Sequence, residues 1–348
     1  MSAVKQIPLF KVWTAPDAPD RVAEVLRSGY VGQGPVVDAF ERALGDLWGV
    51  DPDLVVTVNS GTAALQLALD IAGVRPGDPH RRVALSPVTC TADPHAILSM
   101  GGDIVWTDSD RHGQMLRTSE ADVVMPTDWG GAVALRDWSL GATVIQDAAH
   151  NLTGKRYGTM TAFSFQAIKH LNTGDGGCLL LTNRAEADEA RLKRWFSLDR
   201  RSSADFRCSQ NSKYPAYKWH MNDIAAAIGL ANLPGALENV RRSRDNAWFY
   251  RERIAAPCHL AYDPDSPEWI YTILVERRDE FMAYMKDAGV MTSPVHAICT
   301  KHDAFPKGDT PNAEWFCARN VAIPNGFWVT DEDRERIADL VRRWFDGV

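Results

Sequence analysis

Residues 163–177 read FSFQAIKHLNTGDGG, and this stretch decides the fold class that the sequence predicts. It begins as a β-strand, carries Lys169, and ends in a glycine-rich turn before a second apolar run, Cys178–Leu181. A lysine between a buried strand and a tight turn is unusual, because lysine is rarely placed in a core without a task. In a partly desolvated pocket its pKa falls, and the amine becomes a nucleophile toward aldehydes. The alternative interpretation is an ordinary surface lysine.

Short apolar runs alternate with helical patterns on both sides of this stretch, over residues 36–183. Besides Ala162–Phe165 and Cys178–Leu181, the runs are Leu54–Val58, Val83–Leu85, Asp103–Trp106, Asp122–Met125 and Thr143–Ile145. The helical patterns between them include Val36–Leu47, Gly61–Ala72 and Ala92–Met100. Such alternation is typical of βα units around a mostly parallel sheet. The sequence therefore predicts an α/β fold with a mostly parallel seven-stranded sheet flanked by helices.

The pattern changes toward the C-terminus. Residues 222–254 predict two helices, or one with a kink, because Pro234-Gly235 interrupts the pattern. After Pro257 a short strand, Trp269–Val275, is followed by amphipathic helices. A chain of 348 residues suits two domains. We predict an N-terminal segment and large α/β domain over residues 1–240, and a small α+β domain over residues 241–348.

Composition and charge exclude several classes of protein. The 38 Lys+Arg and 45 Asp+Glu give a net charge of −7, which argues against sequence-independent nucleic-acid binding. No apolar run is long enough to span a membrane, and the first residues lack the pattern of a signal peptide. We therefore expect a cytoplasmic protein. The six cysteines form no CxxC pair and no cluster with zinc-like spacing, so no metal site is predicted.

A second motif, Ser60-Gly61-Thr62, directly follows the predicted strand Leu54–Val58 and opens a helix. Open α/β sheets bind ligands at the carboxyl ends of their strands. The first amides of a helix lack partners within it, and the helix dipole favours an anion there, so the motif indicates a phosphate site. The alternative is a simple N-cap, for which Ser and Thr are common choices.

A third motif, QDAAH over residues 146–150, follows the run Val144-Ile145. Asp147 at a strand end can pair with a pyridinium nitrogen and keep it protonated, which makes the ring an electron sink. His150 would then contact the ring face or its phenolic oxygen. The alternative is an aspartate that caps the next turn. A phosphate cradle, a carboxylate and a lysine are the anchors that pyridoxal phosphate needs, and they predict this cofactor with Lys169 as its Schiff-base partner.

These motifs resemble those of the DegT/DnrJ family of nucleotide-sugar aminotransferases, which belong to fold type I of the pyridoxal-phosphate enzymes. The resemblance covers nearly the whole chain. Beyond the three motifs it includes Ser28-Gly29-Tyr30, Gly34-Pro35, Phe40-Glu41, residues 217–223 (YKWHMND) and residues 226–230 (AAIGL).

The resemblance implies a role for each matching residue. Lys169 would hold the cofactor and move the proton between substrate and cofactor carbons, while Asp147 would pair with the ring nitrogen and His150 would lie beside the ring. Gly61, Thr62 and the hydroxyl of Ser164 would bind the phosphate, and Ser60 would also contact the cofactor. The segment around His220 would reach the cofactor phosphate of a neighbouring subunit, which implies a homodimer with shared active sites.

The chain departs from the family pattern at three places. Cys90 stands where an aromatic residue usually stacks on the ring, and we keep it as a candidate cofactor contact. Asp128-Trp129-Gly130-Gly131 replaces a turn that resembles His-Leu-Tyr-Gly in many relatives, and His220 stands where Asn or Arg is common. The candidate substrate contacts are Tyr30, Trp129, His296 and His302.

The resemblance implies a transamination in two halves. An amino acid, glutamate by family analogy, gives its amine to the cofactor, and a keto-deoxy sugar carried on a nucleotide then takes it up. Family dehydratases have histidine in place of the lysine, so Lys169 favours transamination over dehydration. Three alternatives stay open: sugar dehydration, amination of a non-sugar cyclic ketone, and a non-catalytic regulator that keeps the fold.

Overall fold

The computed structural model describes residues 5–77, 81–118, 120–134, 138, 141–201, 209–254 and 258–347. In this part of the chain the strands are β1 (Val55–Val58), β2 (Arg82–Leu85), β3 (Asp103–Trp106), β4 (Val123–Val124), β5 (Thr143–Asp147), β6 (Met160–Ser164), β7 (Gly177–Leu181), β8 (Tyr271–Leu274) and β9 (Asn320–Ile323). The α-helices are α1 (Ala18–Ser28), α2 (Pro35–Trp48), α3 (Gly61–Ile71), α4 (Ala92–Ser99), α5 (Arg184–Lys193), α6 (Asp223–Arg253), α7 (Arg278–Asp287), α8 (Pro311–Cys317) and α9 (Asp331–Asp346).

Strands β1 to β7 form one sheet in the order β1-β7-β6-β5-β4-β2-β3. Strand β7 is antiparallel to β1 and β6, and the other neighbouring pairs are parallel. The predicted mostly parallel seven-stranded sheet is therefore confirmed. Because β1 and β6 both run opposite to β7, the carboxyl ends of β1, β5 and β6 lie at the same edge of the sheet.

Helices cover both faces of this sheet, since side chains alternate between the two sides of a strand. Val56 and Val58 of β1 pack with α3 in one core cluster, and Val55 packs with α2 in another. The start of α3 is fixed by Ser60, whose Oγ accepts the backbone N–H of Ala63 at 3.1 Å. This cap sets the helix N-terminus at the end of β1.

Helix α6 is continuous over 31 residues with Pro234 inside it, so of the two predicted alternatives the pair of helices is wrong and the single helix is correct. The residue after the proline, Gly235, makes room for a packing partner: a Cβ there would lie 2.1 Å from the ring of Trp13. The helix also crosses residue 240, where we placed the domain boundary. The division into two domains stays a prediction.

The C-terminal part forms a second core around the antiparallel pair β8–β9 and helices α7 and α9. The N-terminal segment joins this core, because Ile7 is buried there and its N–H donates to the carbonyl of Gly289 at 2.8 Å. Pro257, where the sequence pattern changes, lies outside the described residues. Among the described helices, none has the length and apolarity that crossing a membrane requires.

Candidate active site

A cavity of about 410 Å³ opens at the sheet edge where β1, β5 and β6 end. Every cofactor residue predicted from the sequence lines it, except His220. These residues are Ser60, Gly61, Thr62, Cys90, Asp147, His150, Ser164 and Lys169. The N-terminal segment and the C-terminal part supply the facing side through Phe10, Trp269, Val295 and His296. The fold thus brings three motifs that are distant in sequence into one site.

One end of the cavity is suited to an anion. The amides of Gly61 and Thr62 open α3, and amides in the first turn of a helix have no acceptor within it. A Cβ at Gly61 would lie 2.8 Å from the Cβ of Ser164, so only glycine lets the start of α3 approach the end of β6 this closely. The resulting cradle of amides and a hydroxyl fits a phosphate group.

The other end carries a buried carboxyl group. Asp147 ends β5, is 3% exposed, and accepts the backbone N–H of Ala149 at 3.0 Å. Burial raises its pKa, while that hydrogen bond and the positive charge of Lys169 oppose the increase. A carboxylate at this place is able to pair with a protonated ring nitrogen, which is the role predicted for Asp147.

Lys169 lies in the turn after β6 and lines the same cavity. Its Nζ is 3.7 Å from the ring centroid of Trp269, whose indole N–H donates to the carbonyl of Ile168 at 3.0 Å. Burial lowers the pKa of Lys169 to about 8, and the negative charge of Asp147 limits the shift. A lysine with this pKa has an appreciable neutral fraction near neutral pH, which is what a nucleophilic amine requires.

His150 is buried beside Lys169 and is held in one tautomer. Its Nδ1 accepts the backbone N–H of Gly130 at 3.3 Å, so the proton of the neutral ring lies on Nε2. Burial lowers the pKa of His150 well below its ordinary value, and the nearby Lys169 acts in the same direction. The ring packs 4.1 Å from that of Trp269 and lies parallel to that of His296 at 6.0 Å. His150 is therefore a neutral hydrogen-bond donor.

The candidate substrate contacts are scattered. His296 lines the cavity, and burial lowers its pKa to about 4. Trp129 is 2% exposed and packs edge-on against His150 and His296, outside the cavity lining. Tyr30 is 76% exposed, and His302 packs on Phe305; neither lines the cavity.

His220 lies beside the strand that leads to the phosphate cradle. It pairs with Val58 through an isolated antiparallel bridge and packs edge-on against Trp195 at 4.2 Å. The role predicted for His220, contact with the cofactor phosphate of a neighbouring subunit, stays a prediction.

Sequence reasoning missed several residues of the site. Trp269 and Phe10 lie far in sequence from the three motifs and reach the cavity through the packing of the two parts. Asp93 and Thr127 line it as well, and the only local signal for Asp93 was its place in the first turn of a helix.

Asp128 is a buried residue that accepts hydrogen bonds from several side chains near the site. Its buried carboxylate accepts hydrogen bonds from the side chains of Gln146, Asn151 and Tyr157. These bonds tie the turn after β4 to β5. The structure thus gives Asp128-Trp129-Gly130-Gly131, a departure from the family pattern, a role in supporting the site.

The model of the DegT/DnrJ/EryC1/StrS aminotransferase family matches residues 15–342. Among solved structures, AtS13 from Actinomadura melliaura is 33% identical with a TM-score of 0.89, covering 98% of this chain and 99% of that one. The sugar aminotransferase CalS13 from Micromonospora echinospora is 30% identical with a TM-score of 0.88, covering 97% and 99%.

Among curated proteins, the dTDP-4-dehydro-2,3,6-trideoxy-D-glucose 4-aminotransferase of Saccharopolyspora spinosa is 28% identical over 92% of both chains. The architecture is that of a fold type I aminotransferase. The chain belongs to the DegT/DnrJ/EryC1/StrS aminotransferase family and is a pyridoxal-phosphate-dependent sugar aminotransferase. The predictions of family, fold class and enzyme class are confirmed.

Proposed function

We propose that the protein transfers an amino group from glutamate to a keto-deoxy sugar carried on a nucleotide. The observation that carries the proposal is Lys169, a partly buried lysine in a cavity with a helix N-terminus at one end and the carboxyl of Asp147 at the other. The nucleotide-linked acceptor is supported by the Saccharopolyspora relative, whose name specifies a dTDP-linked sugar. The same fold has also been solved in a PLP-form and a PMP-form for Spr1654 from Streptococcus pneumoniae, at 23% identity and a TM-score of 0.86.

The residues present fit pyridoxal phosphate. The amides of Gly61 and Thr62 and the hydroxyl of Ser164 would bind its phosphate, and Asp147 would pair with its ring nitrogen. When bound, the cofactor supplies an electron sink for the bond that breaks at the substrate carbon. Cys90 lines the same cavity and is our candidate for the contact with the ring face.

Lys169 is the residue to which we assign both covalent binding and proton movement. With a pKa of about 8, about a tenth of the amine is neutral at pH 7, so the side chain is able to accept a proton and to return it. The face of Trp269 stabilises the ammonium form and holds Nζ in the cavity. The Nε2–H of His150 would donate to an oxygen of the ring.

We also propose a homodimer in which His220 serves the phosphate site of its partner. The support for this role is the resemblance of residues 217–223 to the family segment that reaches the cofactor phosphate of a neighbouring subunit. Tyr30 and Val31, on the loop before α2, are exposed at 76% and 43%. Light scattering of the purified protein tests the dimer; a monomer that stays active at all concentrations contradicts it.

The first half-reaction is tested by the absorbance spectrum of the purified protein with cofactor, before and after addition of glutamate. We expect the band of the lysine-bound cofactor to be replaced by that of the pyridoxamine form. Borohydride reduction followed by peptide mapping should place the label on Lys169. Lys169→Ala should abolish labelling and transfer, whereas Lys307→Ala, at a 66% exposed side chain, should change neither.

The second half-reaction is tested with the pyridoxamine form and a panel of keto-deoxy sugars linked to dTDP or UDP. Return of the first band with only a nucleotide-linked sugar supports the proposed acceptor. Equal return with a free cyclic ketone contradicts it while leaving the first half-reaction intact.

A further inference from the structure

A second buried carboxyl group, Asp93, lies beside Asp147 and has no part in the proposed function. Asp93 is on the first turn of α4, is 1% exposed and lines the cavity. Thr127 places it next to Asp147, because the Thr127 hydroxyl donates to Asp93 Oδ2 at 3.0 Å and Thr127 forms an isolated parallel bridge with Asp147. Two neighbouring carboxylates in a buried site cannot both ionise without a large electrostatic cost. One proton must therefore be shared by the pair.

The surroundings of the two carboxyl groups differ in how well they stabilise a negative charge. Oδ2 of Asp93 accepts hydrogen bonds from the hydroxyl groups of Thr89 and Thr127, at 2.5 and 3.0 Å. Those hydroxyls are also 2.8 Å from each other. The Oδ1 atom of Asp93 receives no hydrogen bond from the described residues. One oxygen of this carboxyl group therefore accepts two hydrogen bonds and the other accepts none. In this arrangement the second oxygen is the one that carries the acid proton.

Asp147 is the better place for the charge. It accepts a backbone N–H from Ala149, and the positive charge of Lys169 acts on it directly. Burial and the charge of Asp147 raise the pKa of Asp93 well above its ordinary value. The other titratable groups around the pair are Lys169, Cys90, Cys299 and Tyr157, and of these Lys169 carries a charge at neutral pH.

We propose that Asp93 is a positioning residue that stays protonated and donates a hydrogen bond to Asp147, so that Asp147 remains a carboxylate at the end of β5. Within the proposed function, this bond fixes the orientation of the carboxylate that faces the ring nitrogen. The protonated state of Asp93 also leaves a single negative charge, on Asp147, to balance the positive charge of Lys169. The inference rests on the proposed function, since Asp147 matters only if it binds the ring.

The protonation state is measured directly by infrared difference spectroscopy on the cofactor-loaded and the cofactor-free protein. Asp93→Asn keeps the shape of the side chain and an N–H donor toward Asp147, but it has no acid proton. The wild-type minus Asp93→Asn spectrum at pH 7 should show the carbonyl band of a protonated, buried carboxylic acid. If the difference shows only a carboxylate band, Asp93 is ionised and the proposal is wrong.

The effect on Asp147 is measured through cofactor affinity and the pH profile. Asp93→Ala removes the donor, and because a hydrogen bond to a charged group is lost, we expect the Kd of pyridoxal phosphate to rise about tenfold. The acidic limb of the kcat/KM profile should move upward by about one pH unit, since Asp147 then holds its own proton more tightly. Asp93→Asn should stay within about threefold of wild type in Kd and keep the wild-type limb.

The outcomes separate this inference from the proposed function. If both variants match wild type, or if Asp93→Asn is as impaired as Asp93→Ala, the donor role is wrong, although borohydride can still label Lys169. If the wild-type protein neither binds pyridoxal phosphate nor labels on Lys169, the proposed function itself fails. Should Asp93→Ala not fold, the infrared measurement on Asp93→Asn still decides the protonation state.

Discussion

The two walls of the cavity are built in different ways. The first wall, formed by the ends of β1, β5 and β6 and the start of α3, carries the phosphate cradle, Asp147 and Lys169. The second wall, formed by Trp269, Val295 and His296, comes from loops of the C-terminal part. On the first wall, regular hydrogen-bonded elements or the turns directly after them set the position of each group.

The second wall relies on strained backbone. Glu268, directly before Trp269, has a φ of 52°, and Val295, directly before His296, has a φ of 65°. The N–H of His296 donates to the carbonyl of Pro294 at 2.8 Å, which makes Val295 the centre of a tight turn. A β-branched residue rarely adopts this conformation, and such strain persists only where surrounding structure enforces it. The predicted chemical groups thus lie on regular elements, while loops shape the facing side.

The largest effect on stability is expected at Trp269, where the two walls meet. Trp269→Leu removes an indole that packs on Phe10, His150 and Lys169, and the cavity left behind should lower the free energy of unfolding by about 3 kcal/mol. Denaturant unfolding measures this change. Trp248→Leu, at a residue 53% exposed, should change it by less than about 0.5 kcal/mol. Equal effects would mean that Trp269 does not hold the walls together.

The next effect tests the close approach within the first wall. Gly61→Ala brings a Cβ to 2.8 Å from that of Ser164, so the start of α3 must move away from β6. Overpacking of this kind should cost about 2 kcal/mol of stability and raise the Kd of pyridoxal phosphate about tenfold. The control is Gly32→Ala, where an added Cβ meets nothing within 4 Å. A tightly bound cofactor in Gly61→Ala would contradict the cradle.

A smaller effect depends on pH and concerns Lys169. Its pKa is about 8 in the folded protein, below its ordinary value of 10.5, so from pH 8 to 10.5 the unfolded chain binds more protons. Stability of the cofactor-free wild type should therefore rise across this window relative to Lys169→Met, by about 2 kcal/mol after allowance for the partial exposure of the side chain. Below pH 8 the difference between the two proteins should be flat. Urea unfolding at several pH values gives the slopes; parallel curves would show that Lys169 titrates normally.

The smallest effect tests the strain in the second wall. Val295→Asn places at φ 65° a residue that tolerates this conformation, so we expect the free energy of unfolding to increase by about 1 kcal/mol. Thermal unfolding gives the change. Val12→Asn, at an exposed valine, serves as the control and should have no measurable effect. A loss of stability in Val295→Asn would mean that side-chain packing outweighs the strain.

Local patterns in the sequence predicted the first wall. Each signal is local and covers only a few residues. The signals are the runs that became β1 to β7, the glycine next to a capping serine, the aspartate at the end of β5 and the lysine before a glycine-rich turn. These signals were enough to predict the seven-stranded sheet and to show the resemblance to the family. Helix α6 was predicted only in part, since Pro234-Gly235 left two helices or one kinked helix as alternatives, and the structure has a single helix.

By itself, the sequence determined the fold class, the family and most residues of the first wall, because strand ends and helix starts are set by neighbours along the chain. Only the tertiary structure decided which distant residues meet them: Trp269 over Lys169, His296 parallel to His150, and Asp93 against Asp147. Burial, shared protons and backbone strain arise when separate segments pack together and exclude water, and no local pattern records which segments these will be.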